Sequence, residues 1–515
     1  MNASQDVNIR TKKEKKLKHA PSGIICSVIL FLSILLFFAA RWYIIKFGNT
    51  GFDSILFTLF SNTGGADGNE LVVSYLLKGL LPTLICFFGV EFVLFMFPKA
   101  KKLIFKFKSK KIDILPVPHW CAVWVSLILS AILLFTASNI SGLSEYVKGM
   151  VSLSTIFEDE YKNPDDVKIT FPEEKRNLIY IFLESVETTF FSKEQGGALE
   201  ESVLPELYYL ANKNINFSHT DGVGGFLTPN GSTWTVAAMT SHTSGVPLKS
   251  PPSFERNTYG AGSFLPGLTT LSDVLNKNGY YQALMVGSAS EFANRNVLYK
   301  GHNTDKIYDL YTAREEGIVP KDYHVWWGME DKHLFKYAKR ELTKMAAKNE
   351  PFAFTLLTVD THFTNGYVCS MCDDNFSEQY ENVMACSSKQ VADFVNWIKR
   401  QSFFKNTTVV IVGDHLTMDS EYIGRNVEQG YDQRVYNCII NSAIEGTNCK
   451  NREFTSFDLF PTTLASIGCK IEGERLGLGT NLFSGKKTIV EEMGYDEFDY
   501  QLGLNSRYYN DNFLK

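Results

Sequence analysis

Three long apolar runs near the N-terminus limit what this chain can fold into. They cover about residues 23–45, 74–97 and 119–137. At about 1.5 Å per residue in a helix, each run is long enough to cross the hydrocarbon core of a bilayer. A cleaved signal peptide is the competing interpretation of the first run, but the run is too long and no small-residue cleavage site follows it. The sequence therefore predicts three transmembrane helices within residues 1–139.

Basic residues flank these runs unevenly. One cluster, residues 10–18, precedes the first run, and a second, residues 99–111, separates the second run from the third. The positive-inside rule assigns both clusters to the cytoplasm, so three spans place everything after about residue 140 outside. The apolar segment 52–60 is too short to span and is predicted to lie at the outer membrane surface.

The charge distribution also indicates which classes of partner to expect. The whole chain has a net charge of −5, although its first 111 residues hold more than twice as many basic as acidic residues. A basic front and an acidic remainder indicate two compartments rather than nucleic-acid binding. Membrane lipid is therefore an expected partner, and nucleic acid is not.

Six cysteines follow the apolar runs: Cys369, Cys372, Cys386, Cys438, Cys449 and Cys469. Six cysteines in an exported domain are compatible with three disulfides, for which the sequence leaves about 15 pairings. Cys438 with Cys449, or Cys386 with either Cys369 or Cys372, would close short loops. A metal site at Cys369 and Cys372 is the disfavoured alternative, because no second such pair is present. This cysteine use favours an oxidising periplasm, and hence the inner membrane of a bacterium with two membranes.

The remainder of the chain has the pattern of an α/β domain. Residues 140–176 are interpreted as a connector, and residues 177–515 as an outward-facing catalytic domain. Four apolar strands are predicted at residues 178–183, 283–286, 352–359 and 409–412. Helical patterns separate them at residues 201–212, 269–278, 330–348 and 387–400. Alternating strands and helices of this length predict a mainly parallel sheet covered by helices on both faces.

Polar side chains stand where these strands end. Glu184 follows the first strand, Arg295 lies shortly after the second, His362 follows the third, and Asp414 and His415 follow the fourth. Because strand ends of a parallel sheet converge on one edge, these side chains are expected to meet there. Taken alone, the Asp-His pair is more typical of an ordinary turn, with Asp414 capping the next helix and His415 on the surface. Together the groups predict an oxygen- and nitrogen-rich metal site beside a phosphate-binding Arg295 and His362.

A glycine-rich loop supplies a hydroxyl group to this site. Residues 222–225 contain three glycines, and Gly231 precedes Ser232 and Thr233 at the start of an apolar helical pattern. Free N–H groups and the dipole at a helix start favour an anion such as phosphate. An ordinary helix cap is the alternative role for this serine. We predict Ser232 as nucleophile and fourth metal ligand, with Thr233 as the alternative.

These motifs resemble the membrane-anchored phosphoglycerol transferases of the sulfatase and alkaline phosphatase superfamily, which include lipoteichoic acid synthases and the periplasmic glucan enzyme. The resemblance covers the three spans and nearly all of the outer domain. It rests on segments 181–185, 216–220, 231–239, 292–296, 358–362, 414–416 and 476–482. It implies that Glu184, Asp414 and His415 are metal ligands, that Ser232 occupies the nucleophile position, and that His362 contacts substrate.

The same resemblance implies an activity. It implies transfer of phosphoglycerol from phosphatidylglycerol to a hydroxyl of an extracytoplasmic glycan, through a covalent Ser232 intermediate, with release of diacylglycerol. One divalent ion, Mn²⁺ or Mg²⁺ and less readily Zn²⁺, is expected from the oxygen-rich ligands. Ala293 stands where lipoteichoic acid synthases have a tryptophan that binds glycerophosphate, whereas Arg295 is retained.

Three alternatives stay open at this stage. A phosphoethanolamine transferase would use the same site with another lipid donor. A sulfatase-type hydrolase is disfavoured, because residues 232–236 lack the proline and arginine of the sulfatase nucleophile motif. A catalytically inactive lipid- or glycan-binding membrane protein is disfavoured by the intact set of Glu184, Ser232, Asp414 and His415.

Overall fold

The computed structural model describes residues 21–48, 51–60, 69–96, 103–107, 110–114, 118–249 and 263–515. The helices are α1 (Pro21–Phe47), α2 (Phe52–Phe60), α3 (Asn69–Tyr75), α4 (Leu81–Glu91), α5 (His119–Ile140), α6 (Leu143–Val151), α7 (Ile156–Glu160), α8 (Pro205–Lys213), α9 (Thr235–Ser244), α10 (Leu271–Lys277), α11 (Arg295–Gly301), α12 (Leu310–Glu315), α13 (Asp331–Ala346), α14 (Gln379–Lys399), α15 (Ser420–Asn426), α16 (Leu459–Ser466), α17 (Ile489–Met493), α18 (Tyr495–Gly503) and α19 (Arg507–Asn512).

The strands are β1 (Leu103–Phe107), β2 (Lys110–Ile114), β3 (Ile169–Thr170), β4 (Asn177–Leu183), β5 (Gly225–Phe226), β6 (Tyr281–Val286), β7 (Lys306–Tyr308), β8 (Phe352–Leu357), β9 (Thr407–Gly413), β10 (Val435–Ile440), β11 (Lys470–Ile471), β12 (Arg475–Leu476) and β13 (Gly479–Thr480). The chain divides into two compact units. Unit 1 comprises Met1–Trp42 and Leu71–Ile140, and unit 2 comprises Tyr43–Glu70 and Ser141–Lys515.

Unit 1 is built from the apolar helices. Three helical segments are long and apolar enough to cross a membrane: Ser22–Phe47, Val72–Leu94 and His119–Ile140. The second of them joins α3 to α4 through a π-helical stretch, Leu76–Leu80. Most of their large side chains are exposed, as expected for surfaces that face lipid rather than water. The three predicted membrane-crossing helices are confirmed by length and composition, and the chain is a membrane protein.

Unit 2 is organised around a seven-stranded sheet in the order β5-β10-β9-β4-β8-β6-β7. The five strands from β9 to β7 run parallel to one another. At one edge, β10 runs antiparallel to both of its neighbours, β9 and β5. Apolar cores cover both faces of the sheet. In β9, for example, Val410 and Val412 face one core and Val409 and Ile411 face the other. The predicted mainly parallel α/β fold is confirmed, and burial on both faces explains the unbroken apolar runs.

Two segments outside the sheet also belong to unit 2. Residues 141–176, which the sequence suggested as a connector, form α6, α7 and β3, and β3 pairs with β11. Helix α2 packs its buried Phe57 against Trp234 and Phe264, with ring centroids 6.0 and 6.5 Å apart. One side of the predicted surface helix α2 is therefore part of the core of unit 2.

The cysteines form no disulfide in the described part of the chain, which includes all nine of them. Cys438 lies in the core on one face of the sheet, whereas Cys449 packs against the core on the opposite face. The suggested bridge between Cys438 and Cys449 is therefore wrong, because the sheet separates the two thiols.

Candidate active site

The site lies where β4 and β9 end side by side. Leu183 pairs with Gly413 in the parallel register, so Glu184 and Asp414 are the next residues on adjacent strands. Glu184, Asp414 and His415 each place a ligand atom within 4.8 Å of the other two, and all three side chains are buried. The structure thus brings together three of the four predicted metal-site residues.

Hydrogen bonds fix the two carboxylates. Oδ1 of Asp414 accepts from the backbone N–H groups of Ser185 and His415, both at 2.8 Å. Oε1 of Glu184 accepts from the Ser185 hydroxyl at 2.9 Å. Ser185 has a positive φ of 58°, an uncommon backbone conformation for a side chain other than glycine. Ser185 thus bonds to both acids from a strained backbone conformation. Such strained conformations are common at functional sites.

The remaining atoms fit a cation. Oδ2 of Asp414 is buried and has no hydrogen-bond partner among the described residues. Nδ1 of His415 lies 2.7 Å from the carbonyl of Leu416. That contact orients the ring so that Nε2 faces Oδ2 of Asp414 at 3.4 Å and Oε1 of Glu184 at 3.5 Å. Two carboxylates, one of which has an unsatisfied buried oxygen, and one imidazole form a suitable set for a divalent ion.

The electrostatics of the buried carboxylates also favour a bound cation. Burial, reinforced by the charge of Glu184, raises the pKa of Asp414 to about 7. Burial alone would lower the pKa of His415, but the carboxylates of Asp414 and Glu184 outweigh it and raise that pKa. Concentrated negative charge in a buried site is relieved by protons or by a metal ion.

The hydroxyl that reaches these groups belongs to Thr235. Its Oγ1 lies 3.3 Å from Oε2 of Glu184 and 3.3 Å from Nε2 of His415. Thr235 is the first residue of α9, so it presents its hydroxyl beside the free N–H groups of the first helical turn. The sequence analysis did not select this residue.

Ser232 lies elsewhere than predicted. It is buried, and its hydroxyl donates to the carbonyl of Pro229 at 2.6 Å. The helix starts three residues later than expected, because Gly231 turns the chain with a φ of +76° and Trp234, in extended conformation, is the N-cap. Ser232 and the alternative, Thr233, therefore precede the helix, and the hydroxyl with contacts to Glu184 and His415 described here is that of Thr235.

Arg295 and His362 lie close to the cluster. Arg295 is buried at the start of α11, and its guanidinium donates to Ser288 Oγ at 2.6 Å and to the Ala289 carbonyl at 2.9 Å. Burial lowers the pKa of Arg295 to about 10, while the nearby carboxylate of Glu184 acts to raise it. Burial also lowers the pKa of His362, again against the charge of Glu184.

Aromatic side chains that the sequence analysis missed surround His362. The ring of Trp327 lies 4.7 Å from the ring of His362 and 5.6 Å from that of Phe292. Ala293, next to Phe292, has a positive φ of 55° and carries no ring. Trp327 thus supplies an indole to this region from a different loop. The adjacent Trp326-Trp327 pair was the signal in the sequence, but its distance along the chain from the strand ends concealed it.

Comparisons with known proteins show what this chain is similar to. Phosphoglycerol transferase I of Escherichia fergusonii is 33% identical over 352 residues, which are 67% of this chain and 40% of that protein. The Salmonella choleraesuis protein of the same name is 30% identical over 355 residues, with the same coverage. The chain thus spans about 40% of the length of these curated relatives. The crystal structure of the lipoteichoic acid synthase LtaP from Listeria monocytogenes is 20% identical, with a TM-score of 0.49, over 62% of this chain and 79% of that chain.

The sulfatase family matches residues 176–468. The matched region begins just before β4 and ends after α16, so it contains Glu184, Thr235, Asp414 and His415. Proteins of this superfamily typically bind a divalent metal, and the buried group of two carboxylates and one imidazole fits such a site. The chain belongs to the sulfatase family.

Proposed function

We propose that this protein transfers phosphoglycerol from phosphatidylglycerol to a hydroxyl group of an extracytoplasmic glycan and releases diacylglycerol. It does so in the inner membrane, with unit 2 on the periplasmic side. The curated relatives named phosphoglycerol transferase I support the class of cargo. The basic clusters before and between the apolar runs support the orientation.

One observation carries the proposal. A single hydroxyl, Oγ1 of Thr235, lies 3.3 Å from both a carboxylate and an imidazole, at the N-terminus of a helix of 10 residues. A nucleophile needs a neighbouring group that faces its proton, and Glu184 accepts the hydrogen bond from this hydroxyl. Thr235 therefore replaces Ser232 as the proposed nucleophile.

The surrounding residues suit a phosphodiester. The free N–H groups at the start of α9 favour a phosphate oxygen close to Thr235. Arg295 adds a positive charge, and its bonds to the described residues use Nε and Nη2 and leave Nη1 for a ligand. Glu184, Asp414 and His415 would hold a divalent ion, Mn²⁺ or Mg²⁺, which supplies positive charge that polarises phosphate and favours an ionised hydroxyl.

The reaction then has two displacements. In the first, the Thr235 oxygen forms a bond to phosphorus, the bond from phosphorus to the diacylglycerol oxygen breaks, and that oxygen takes up a proton. In the second, the oxygen of a glycan hydroxyl forms the new bond to phosphorus, the bond from phosphorus to the Thr235 oxygen breaks, and the proton lost by the glycan hydroxyl restores the Thr235 hydroxyl. Splitting one transfer into two steps at a covalent intermediate is the general advantage of a nucleophilic side chain.

The covalent intermediate can be tested directly. The full-length protein, in detergent with Mn²⁺, is incubated with phosphatidylglycerol without any acceptor, and the labelled peptide is mapped by mass spectrometry. A phosphoglycerol mass on Thr235, lost in Thr235→Ala and kept in Ser232→Ala, is expected. An adduct on Ser232 or Thr233 would overturn the choice of nucleophile, and labelling by phosphatidylethanolamine alone would overturn the cargo.

A separate experiment tests the orientation. Alkaline phosphatase and a fluorescent protein that matures only in the cytoplasm are fused, one at a time, to the C-terminus of the full-length chain. Active phosphatase without fluorescence is expected. Fluorescence with inactive phosphatase would place unit 2 in the cytoplasm and contradict the proposal.

A further inference from the structure

Three cysteine thiols meet in unit 2 outside the site described above. Sγ of Cys369 lies 3.7 Å from Sγ of Cys372 and 3.8 Å from Sγ of Cys386. All three sulfur atoms lie within 4.8 Å of one another. Cys369 and Cys372 belong to the loop after β8, whereas Cys386 belongs to α14. The cluster therefore connects two segments of the chain.

The spacing of the sulfur atoms separates two explanations. A disulfide requires about 2.05 Å between its sulfur atoms. Thiolates at about 2.3 Å from a tetrahedral zinc ion lie about 3.8 Å from each other, by the geometry of the tetrahedron. The observed 3.7 and 3.8 Å match the edge of a metal-centred tetrahedron and are too long for any of these sulfur pairs to be bonded.

The surroundings favour thiolates. The backbone N–H of Met371 donates to Sγ of Cys369 at 3.3 Å, and the side-chain amide of Gln390 donates to Sγ of Cys386 at 3.3 Å. Such donors stabilise the charged form of sulfur, which is the form that binds metals.

Two buried acids, Asp331 and Asp360, lie close enough to Cys369 for its charge to act on them. Burial, with the charge of Asp331 next, raises the pKa of Asp360 well above its ordinary value, and the charge of Cys369 adds to the effect. Neither carboxylate oxygen of Asp360 has a hydrogen-bond partner within the part of the chain that is described. Lys332 is close, but it pairs with Glu330 at 2.6 Å.

We propose that Cys369, Cys372 and Cys386 bind a zinc ion, with the fourth coordination position left to a ligand outside these three residues. The loop that carries Cys369 and Cys372 also carries His362, and its Tyr367 stacks on Trp326 with ring centroids 5.6 Å apart. Zinc at this place joins the substrate-side loop to α14. It is a structural metal, separate from the ion proposed at Glu184, Asp414 and His415.

Elemental analysis of the full-length protein, purified in detergent without reductant or chelator, tests the proposal. Cys386→Ser is compared with the wild type and with Cys438→Ser, which removes a buried thiol outside the cluster. Loss of one zinc ion per chain in Cys386→Ser, with no loss in Cys438→Ser, is expected. Asp414→Asn is measured in parallel, because any zinc lost in that variant belongs to the other site.

Two measurements on the wild type keep the test decisive where Cys386→Ser fails to fold. Exchange of zinc for Co²⁺ should produce a near-ultraviolet sulfur-to-cobalt charge-transfer band. Alkylation mapped by mass spectrometry should find the three thiols protected until a chelator is added. A non-reducing peptide map with a disulfide at Cys369, or equal zinc content in Cys386→Ser and the wild type, would overturn the proposal.

Discussion

The Thr235 hydroxyl lies 3.3 Å from Nε2 of His415, although the two residues are 180 positions apart in the chain. Thr235 opens α9, and His415 follows β9. The same hydroxyl lies 3.3 Å from Oε2 of Glu184, after the neighbouring strand. A helix N-terminus thus faces the ends of two central strands, which is where open α/β sheets bind ligands.

Thr235→Ala should reduce transfer from phosphatidylglycerol to background, because the Thr235 hydroxyl contacts both Glu184 and His415. Thr235→Ser keeps a hydroxyl and should retain part of the activity, whereas Ser232→Ala should stay within a few-fold of the wild type. Release of radiolabelled diacylglycerol measures all three variants. Full activity in Thr235→Ala would exclude Thr235 as the nucleophile.

Removal of one carboxylate should weaken metal binding strongly. Asp414→Asn and Glu184→Gln each replace a charged oxygen ligand by a neutral amide of similar size. Titration with Mn²⁺, followed by electron paramagnetic resonance, should show affinity falling by roughly 100-fold or more, since loss of even a supporting partner of a ligand typically costs 10–100-fold. Unchanged melting temperatures at saturating chelator serve as the control. Wild-type Mn²⁺ affinity in both variants would refute the site.

Arg295→Lys should impair use of the lipid donor more than it impairs folding. Lysine keeps the charge but lacks the planar fork that bonds Ser288 and Ala289. Loss of one charged hydrogen bond costs about 1.5–3 kcal/mol, so kcat/KM should fall by roughly 10- to 100-fold. Initial rates over a range of phosphatidylglycerol concentrations give the value. A normal kcat/KM would show that Arg295 does not contact the donor.

Unit 2 should lose stability in mild acid because of His242. Burial lowers its pKa from 6.5 to about 3. Between these values the unfolded chain binds a proton that the folded chain does not, so stability falls as the pH drops below about 6.5, by about 1.4 kcal/mol per pH unit. His242→Leu should flatten the slope of melting temperature against pH, and exposed His324→Gln should not. Equal slopes in the wild type and His242→Leu would contradict this origin.

Phe57→Ala should destabilise unit 2. Phe57 is 5% exposed and contacts Trp234, the N-cap of α9. Removing a buried phenylalanine ring costs about 3–5 kcal/mol in well-packed sites. Thr58→Ala, at an exposed neighbouring position, provides the matched control. Chemical denaturation in detergent measures both, and equal stabilities would mean that α2 does not belong to the core.

The central strands could be predicted because burial on both faces leaves an unbroken apolar run. Strand β10 was not predicted, because Asn437 interrupts its apolar pattern. That side chain accepts from the N–H of Phe217 and donates to its carbonyl, so it ties a distant loop to the sheet. A polar residue satisfied by a remote backbone looks, in the sequence alone, like the end of a strand.

The positions of the acids and of His415 in the candidate site could be predicted, but the residue at which α9 begins could not. Glu184, Asp414 and His415 directly follow strands, and a parallel sheet brings strand ends together whatever the loops do. The choice among Ser232, Thr233 and Thr235 depends on where α9 begins. Trp234 takes the N-cap position without a side-chain capping bond, so the usual signal of a polar cap was misleading. The thiol cluster could not be predicted from the sequence, because Cys386 joins it only through the packing of α14.

The contact of Phe57 with Trp234 has a consequence for biosynthesis. The ribosome makes α2 before two of the three apolar helices, and long before Trp234 and Phe264. The ring of Phe57 therefore lacks its contacts with Trp234 and Phe264 until those residues have been synthesised. A protein fragment that starts at residue 141 would expose Trp234 and Phe264 to water and should aggregate more readily than one to which the α2 peptide is added back.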